Sequence, residues 1–185
     1  MASYLSQEAI ECLYAEHGLP ENIIRHMQTV ARVAVFMAQQ LKVGEEIDIA
    51  LVEKGALLHD LDKLITLKQN GAHGALGGRL LRERGQDVIA SIVERHPISA
   101  FGKSDPRLWT WEERLVHYAD KLCLETRVVT LAERLEDLRH RYPQKENASY
   151  VERYQAAEEN LEREIFACLD LEPADVPRLL ARSEH

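Results

Sequence analysis

The sequence predicts an all-α fold, and three observations carry that reading. Apolar residues recur at intervals of three and four along most of the chain. Glycines, prolines and capping residues punctuate those runs at helix-like lengths. No stretch alternates apolar and polar residues convincingly enough for a strand.

The elements follow in order. Ser6 caps a first helix, QEAIECLYAEH, which Gly18 ends. Pro20 opens a second, ENIIRHMQTVARVAVFMAQQLKV, expected to reach Gly44. Its apolar face runs Ile23, Met27, Val30, Ala34, Met37, Leu41. Asp48 caps a third helix that carries KGALLHDLDKLI, residues 54–65. NGAHG reads as a turn. ALGGRLLRER is a helix ended by Gly85, and QDVIASIVER another that reaches His96-Pro97. SAFGKSDPR is a loop by its Gly, Pro, Ser and Asp content. One long helix is expected from about Trp111 towards His140, broken by RYPQKEN. Tyr150, Tyr154, Ala157, Leu161, Ile165 and Cys168 share one face of the next, and a short helix near Pro177 to Arg182 closes the chain. The expected architecture is a helical bundle.

Composition bounds the function. A chain of 185 residues, 45% hydrophobic and 29% charged, is one domain, 1–185, with enough length for a real core. The formal net charge of −8, without a long basic block, argues against a nucleic-acid polymer as partner. It leaves room for an anionic substrate, because bound metal ions reverse a local field. No apolar run approaches the roughly 20 residues of a membrane span. The start, MASYLSQEAIECLY, has no basic segment followed by an apolar core, so no signal peptide is expected. Cys12, Cys123 and Cys168 show no CxxC spacing and read as reduced thiols in a cytoplasm.

The stretch KGALLHDLDKLI raises the functional question. Its leucines belong inside, yet it carries His59-Asp60 with Asp62-Lys63 close behind, and charged groups there cost free energy unless something pairs them. Similar residues occur elsewhere. His26 sits among Ile23 and Val30 on an inward face; alone, it reads as a satisfied core histidine. Asp120, with Val116 and Leu124 one turn to either side, alone reads as half of a salt bridge. His96 ends a helix, where the dipole favours it, and His73 sits in a turn. Together, six independent bland explanations are hard to sustain. Imidazoles and carboxylates suit borderline-to-hard divalent ions, and six ligands exceed one tetrahedral site but suffice for two ions.

The order His26, His59-Asp60, Asp120 resembles the H…HD…D signature of the HD-domain metal-dependent phosphohydrolase superfamily. His73 and His96 are similar to the extra histidines of its two-metal branch. The strings ALLHDLDK, HGALGGRLL, IVERHP and YADKL carry the likeness, over roughly residues 20–130. Residues 131–185 read as a helical extension. The resemblance implies that His26, His59, Asp60 and Asp120 bind a first metal, and His73, His96 and Asp60 a second, with Asp60 as bridge. The cofactor would be two divalent ions (Fe, Mn, Mg, Co or Zn). It implies a hydroxide between the ions that attacks phosphorus. The substrate would be a small phosphate ester or anhydride, a nucleotide foremost; a dinucleoside tetraphosphate is a narrower version.

Several positions need separate weighing. The commoner family string is His-Asp-Ile-Gly-Lys, and here Asp62 replaces the glycine; it reads as a solvated carboxylate, as a carboxylate holding a ligand histidine, or as a group that narrows the pocket. Lys63, with Asp60, is the expected catalytic pair, and Lys63 also reads as a substrate contact or as a surface lysine paired with Asp62 or Asp60. Arg127 is expected two helical turns after Asp120, as a phosphate contact or a buried salt bridge. Arg79 is a further substrate candidate, beside Gly77 and Gly78. His17, His117, His140 and His185 are left out, His117 being the one to reconsider because it precedes Asp120 by one turn. An HD-type di-iron oxygenase and a non-catalytic metal-binding or sensor domain remain alternatives, since ligands alone do not separate them. A homodimer is compatible with the sequence.

Overall fold

The computed structural model describes residues 4–69, 72–102, 105–141 and 145–182. Helices dominate it. The first are α1 (Gln7–Glu16), α2 (Glu21–Ala38), α3 (Ile49–Leu58) and α4 (Lys63–Gln69). Next come α5 (Ala75–Arg82), α6 (Asp87–Arg95) and α7 (Trp111–Lys121). A two-stranded antiparallel hairpin, β1 (Cys123–Leu124) and β2 (Arg127–Val128), follows α7. Then α8 (Leu131–Arg141), α9 (Lys145–Phe166) and α10 (Asp175–Arg182) complete the described chain.

The apolar spacing of α2 places Met27, Val30, Val33, Ala34 and Met37 in the interior, against α3 and α7. α3 supplies Val52, Ala56, Leu57 and Leu58, and packs closely on α6. Gly55 permits that approach: a Cβ there would lie 2.7 Å from Ile92 Cδ1. α5 lies on α6, and α9 crosses both α7 and α8. Leu161 and Ile165 of α9, with Val176 and Leu180 of α10, join the same buried cluster as α2 and α3. Among the described residues no helix is long and apolar enough to cross a membrane.

The first helix matches its sequence signals: Ser6 Oγ accepts from the Ala9 amide, and Gly18 follows with positive φ. Four expectations are corrected. α2 ends at Ala38, short of Gly44, because the chain tightens through Gln40 and Leu41. The Lys42 amide then bonds the Cys168 carbonyl instead of continuing the helix. The helix holding KGALLHDLDKLI does not run through. It stops at Leu58, and residues 59–62 form a turn whose amides reach three residues back, Leu61 to Leu58 and Lys63 to Asp60. SAFGKSDPR is more ordered than a loop: Ile98–Gly102 and Pro106–Leu108 are 3-10 helices.

The long helix from Trp111 is the largest correction. It breaks after Lys121 into the hairpin and restarts as α8. Glu125 takes a left-handed conformation in the turn, φ 56°, and the Val129 amide returns to the Leu122 carbonyl. Thr130 and Glu133 cap α8 reciprocally: the Thr130 amide donates to Glu133 Oε2 and the Glu133 amide to Thr130 Oγ1. Parts of three expected turns, 70–71, 103–104 and 142–144, lie outside the described residues, as do His185 and the Tyr150 side chain.

Candidate metal centre

The six residues singled out by type come from five separate elements and meet at one place. His26 is in the second turn of α2, facing in because its spacing matches the apolar stripe. His59 and Asp60 occupy the turn that ends α3, where tightening aims both inward. His73 precedes Gly74, which starts α5 with φ 83°. A Cβ on Gly74 would lie 2.7 Å from the Val93 carbonyl oxygen, so α5 starts this close to α6 only with glycine. His96 ends α6, and Asp120 lies in the last turn of α7.

Each histidine is held by its Nδ1. That nitrogen in His26 donates to the Glu125 carbonyl (2.9 Å), in His59 to Ala56 (2.7 Å) and in His96 to Val93 (2.6 Å). In His73 it donates to Asp62 Oδ1 (2.7 Å). All four partners can only accept, so each Nδ1 carries the hydrogen and each ring turns its Nε2 towards the others, with a lone pair there whenever the ring is neutral. Neighbouring ring centroids stand 5.3 Å apart for His26–His59, 4.8 Å for His59–His96 and 4.6 Å for His73–His96.

The carboxylates lie between the rings. Asp60 Oδ1 is 2.9 Å from His73 Nε2 and 3.7 Å from His96 Nε2, while its Oδ2 is 3.8 Å from His26 Nε2 and 3.7 Å from His59 Nε2. Asp60 therefore faces one histidine pair with each oxygen. Asp120 Oδ1 adds to the first pair, 3.1 Å from His26 Nε2 and 3.6 Å from His59 Nε2. Two groups follow, His26-His59-Asp60 and Asp60-His73-His96, each with its ligand atoms within 4.8 Å of one another.

The residues fit divalent ions. His59 Nε2 is buried and makes no hydrogen bond among the described residues. His96 Nε2 faces His73 Nε2 at 2.9 Å, two atoms that both hold lone pairs in the neutral rings. Such an arrangement needs a cation, or a proton, between them. The titration behaviour agrees. Burial favours neutral His73, but its bonds to Asp60 and Asp62 outweigh that and hold its pKa up to about 9. His26 is raised too, burial being overcome by Asp120 and then Asp60. Burial and the neighbouring His59 and His73 push His96 well down. Asp60 stays ionised: burial opposes it, but His59, His73 and Lys63 hold its pKa well below the usual carboxylate range. Asp120 is held down similarly, against burial, by Lys121 and His26.

Asp62, the departure from the family string, is fully buried. Besides His73 it accepts the amides of Gly74 and Gly77, each at 2.9 Å. It fixes the His73 ring and ties the turn to α5. Lys63 pairs with Asp60 Oδ2 and remains about a third exposed, at the edge of the cavity above the cluster. Arg127 and Arg79 are not brought there. Arg127 falls on β2 and is exposed, because the hairpin replaces the helix that would have aligned it with Asp120. Arg79 points to solvent, 70% exposed, near Glu83.

The cavity has a volume of about 530 Å³, and sequence reasoning missed three of its basic lining residues, Lys121, Arg134 and Arg141. Lys121 was legible as the neighbour of Asp120; its Nζ donates to Asp120 Oδ2 (2.7 Å) and to the His96 carbonyl (3.0 Å). Arg134 and Arg141 were hidden because ERLEDLRHR, residues 133–141, reads by sequence as a solvated helix face with charge pairs; the structure instead turns both to the cavity, Arg134 with only 18% of its side chain exposed. His117, one turn before Asp120, is buried but turned away, towards Arg95 and Glu158.

The HD domain family model matches residues 23–138. An uncharacterized protein of Methanocaldococcus jannaschii is 34% identical over 123 residues, 60% of this chain and 72% of that protein. Ribonuclease Y of Acidothermus cellulolyticus is 36% identical over 78 residues, 41% of this chain but 15% of the enzyme. Ribonuclease Y of Thermotoga petrophila is 32% identical over 104 residues, 55% of this chain and 18% of the enzyme. The chain thus spans less than a fifth of these ribonucleases. No solved structure matches it.

Proposed function

The chain belongs to the HD domain family, and from that premise we propose that it is a metal-dependent phosphohydrolase acting on a small phosphorylated molecule, a nucleotide foremost. One observation carries the reading. Four histidines, each pinned through Nδ1, turn Nε2 towards two ionised carboxylates in the floor region of a cavity sized for a small ligand.

His26, His59, Asp60 and Asp120 would hold one ion, and Asp60, His73 and His96 a second. Ions there would supply Lewis acidity to the phosphoryl group and lower the pKa of water. The chain's own residues do the rest. Asp62 and the three backbone carbonyls fix the imidazoles before any ligand arrives, so little reorganisation is needed. Lys121 fixes Asp120 against the end of α6. Asp60, kept ionised, serves as shared ligand and not as proton donor. Lys63 sits beside Asp60 with part of its chain exposed, within reach of a phosphoryl oxygen from the cavity side.

The named activity of the ribonuclease relatives favours a second reading, in which the nucleotide belongs to an RNA chain. One assay separates the two. The protein, reconstituted in turn with Mn, Fe, Co, Mg or Zn, is offered nucleoside mono-, di- and triphosphates, simple phosphate esters and a short single-stranded RNA. Phosphate release from the small compounds is expected. Cleavage of RNA alone would transfer the assignment to the second reading. Inertness towards all of them at full metal occupancy would overturn both.

A further inference from the structure

The cavity has a second basic feature that the metal cluster does not use. Arg134, Leu138 and Arg141 are spaced four and three apart on α8, so they share one face, and all three line the cavity. The helix lies outside the segment that carries the metal-binding pattern. Asp137, the residue next to this face, holds both guanidinium groups: Arg134 Nη1 at 3.4 Å and Arg141 Nε at 2.9 Å from Oδ2.

The pairing is incomplete. Arg134 is mostly buried, with 18% of its side chain exposed, yet its Nε has no hydrogen-bond partner among the described residues. Its contact to Asp137 is long for a charged pair, whose ordinary distance is about 2.7–2.9 Å. Asp137 thus divides one carboxylate between two guanidiniums and leaves Arg134 Nε an unused donor; Glu125 is the further carboxylate lining this part of the cavity. Lys63 and Lys121, by contrast, are already engaged by Asp60 and Asp120.

We propose that Arg134 and Arg141 form a subsite for a second phosphate of the substrate, one that is not the phosphate attacked at the metal cluster. This rests on the phosphohydrolase reading above and narrows its substrate class to nucleotides bearing more than one phosphate. Planar guanidiniums offer paired donors that match phosphate oxygens, and Leu138 between them presents an apolar surface to the sugar or base. The same chemistry would meet either the next phosphate of a nucleoside polyphosphate or the next phosphodiester of a short RNA.

The experiment is equilibrium binding, which needs no turnover. The metal-loaded protein is titrated with adenosine monophosphate, with the methylene-bridged analogue of adenosine diphosphate, and with an RNA trinucleotide. The second phosphate should tighten binding by about tenfold or more, as charge-assisted contacts do. Arg141→Ala should erase most of that ratio. Arg134→Lys, which keeps the charge but loses the planar donors and spares the fold, should reduce it. Arg178→Ala, a surface change on α10, serves as control. Loss of the ratio for the diphosphate analogue assigns a nucleoside polyphosphate, and loss for the trinucleotide assigns the RNA phosphodiester. A ratio unchanged in both cavity variants overturns the subsite, whatever the hydrolysis assay gives. Arginine-dependent binding without hydrolysis of any ester would leave the subsite standing and sink the phosphohydrolase reading alone.

Discussion

His59 and His117 invite comparison because burial does not distinguish them: both are 0% exposed. Both donate Nδ1 to a backbone carbonyl, His59 to Ala56 at 2.7 Å and His117 to Arg95 at 2.8 Å. They differ at the other nitrogen. His117 Nε2 meets Glu158 Oε1 at 3.0 Å, and Phe101 and Trp109 pack around the ring. Among the described residues His59 Nε2 has no hydrogen-bond partner; the nearby carboxylate oxygens of Asp120 and Asp60 stand off at 3.6 and 3.7 Å. His117 is closed on both sides and ties α7 to α9. His59 is open on one side, and leaving a buried polar atom unpaired costs about 1–3 kcal/mol. Among the described residues His17 Nε2 is also buried and unpaired, but it stands alone, whereas the His59 lone pair faces the carboxylates of Asp60 and Asp120 beside three further imidazoles. The open nitrogen in that company, more than the buried ring, marks His59 as a candidate metal ligand.

The comparison breaks most visibly at Asp60, which both candidate ligand groups share. Asp60→Ala should empty both groups and lower phosphate-ester hydrolysis by on the order of 10³ or more, given several kcal/mol of metal-derived stabilisation. Elemental analysis beside the rate checks this, and full metal content in the variant would refute the ligand assignment.

The two histidines should then respond oppositely. His117→Ala leaves Glu158 buried without its partner and should cost about 3–5 kcal/mol in urea unfolding, with metal stoichiometry unchanged. His59→Ala in the metal-free protein should cost less, since it also removes an unpaired atom, yet it should lower metal content. Equal stability losses with equal metal retention would erase the distinction between the two histidines.

A smaller effect is expected at Asp62. Asp62→Ala frees the His73 ring and the Gly74 and Gly77 amides, so affinity for the ion held by His73 and His96 should fall about 10–100-fold. Titration with a single metal, followed by calorimetry, should show one weakened site and one intact.

The smallest effect concerns pH. The His73 pKa is raised to about 9 from an ordinary 6.5. In the chelated protein its stabilising contribution is therefore complete below 6.5 and is lost as pH rises through 9. A metal ion competes for the same nitrogen, so metal affinity should instead strengthen with rising pH over that window. Melting temperatures of the chelated protein between pH 6 and 10 should decline modestly, while metal titrations tighten. A flat metal affinity across the window would place His73 outside the site.

Much of this was legible in the residues. The helical spacing around His26, the adjacent His59-Asp60 pair and Asp120 between Val116 and Leu124 all placed polar groups on apolar faces, and the five elements bring them together. Asp62 was recognisable as a candidate support for a ligand histidine. A continuous helical reading from Trp111 hides the hairpin, although Thr130 and Glu133 bracket Leu131 with capping-box spacing and signal a fresh helix start there. The continuous helix aligns Arg127 with Asp120, and the solvated-face reading of residues 133–141 leaves Arg134 and Arg141 out of the site. His117 and Asp120 look alike by spacing; only the arrival of Glu158 from α9 separates a closed pair from an open ligand.

By itself, the sequence determined the helical class, most capped boundaries and the inventory of candidate ligands, because propensity, capping and periodicity are local and act within a few residues. Tertiary structure alone decided which nitrogen of each histidine stays open, that Asp60 faces two histidine pairs, and that α8 turns two arginines into the cavity. Those outcomes depend on acceptors and charges contributed by residues far apart in the chain, such as Glu125 for His26 and Glu158 for His117. No local pattern encodes such distances; packing sets them when the helices come together.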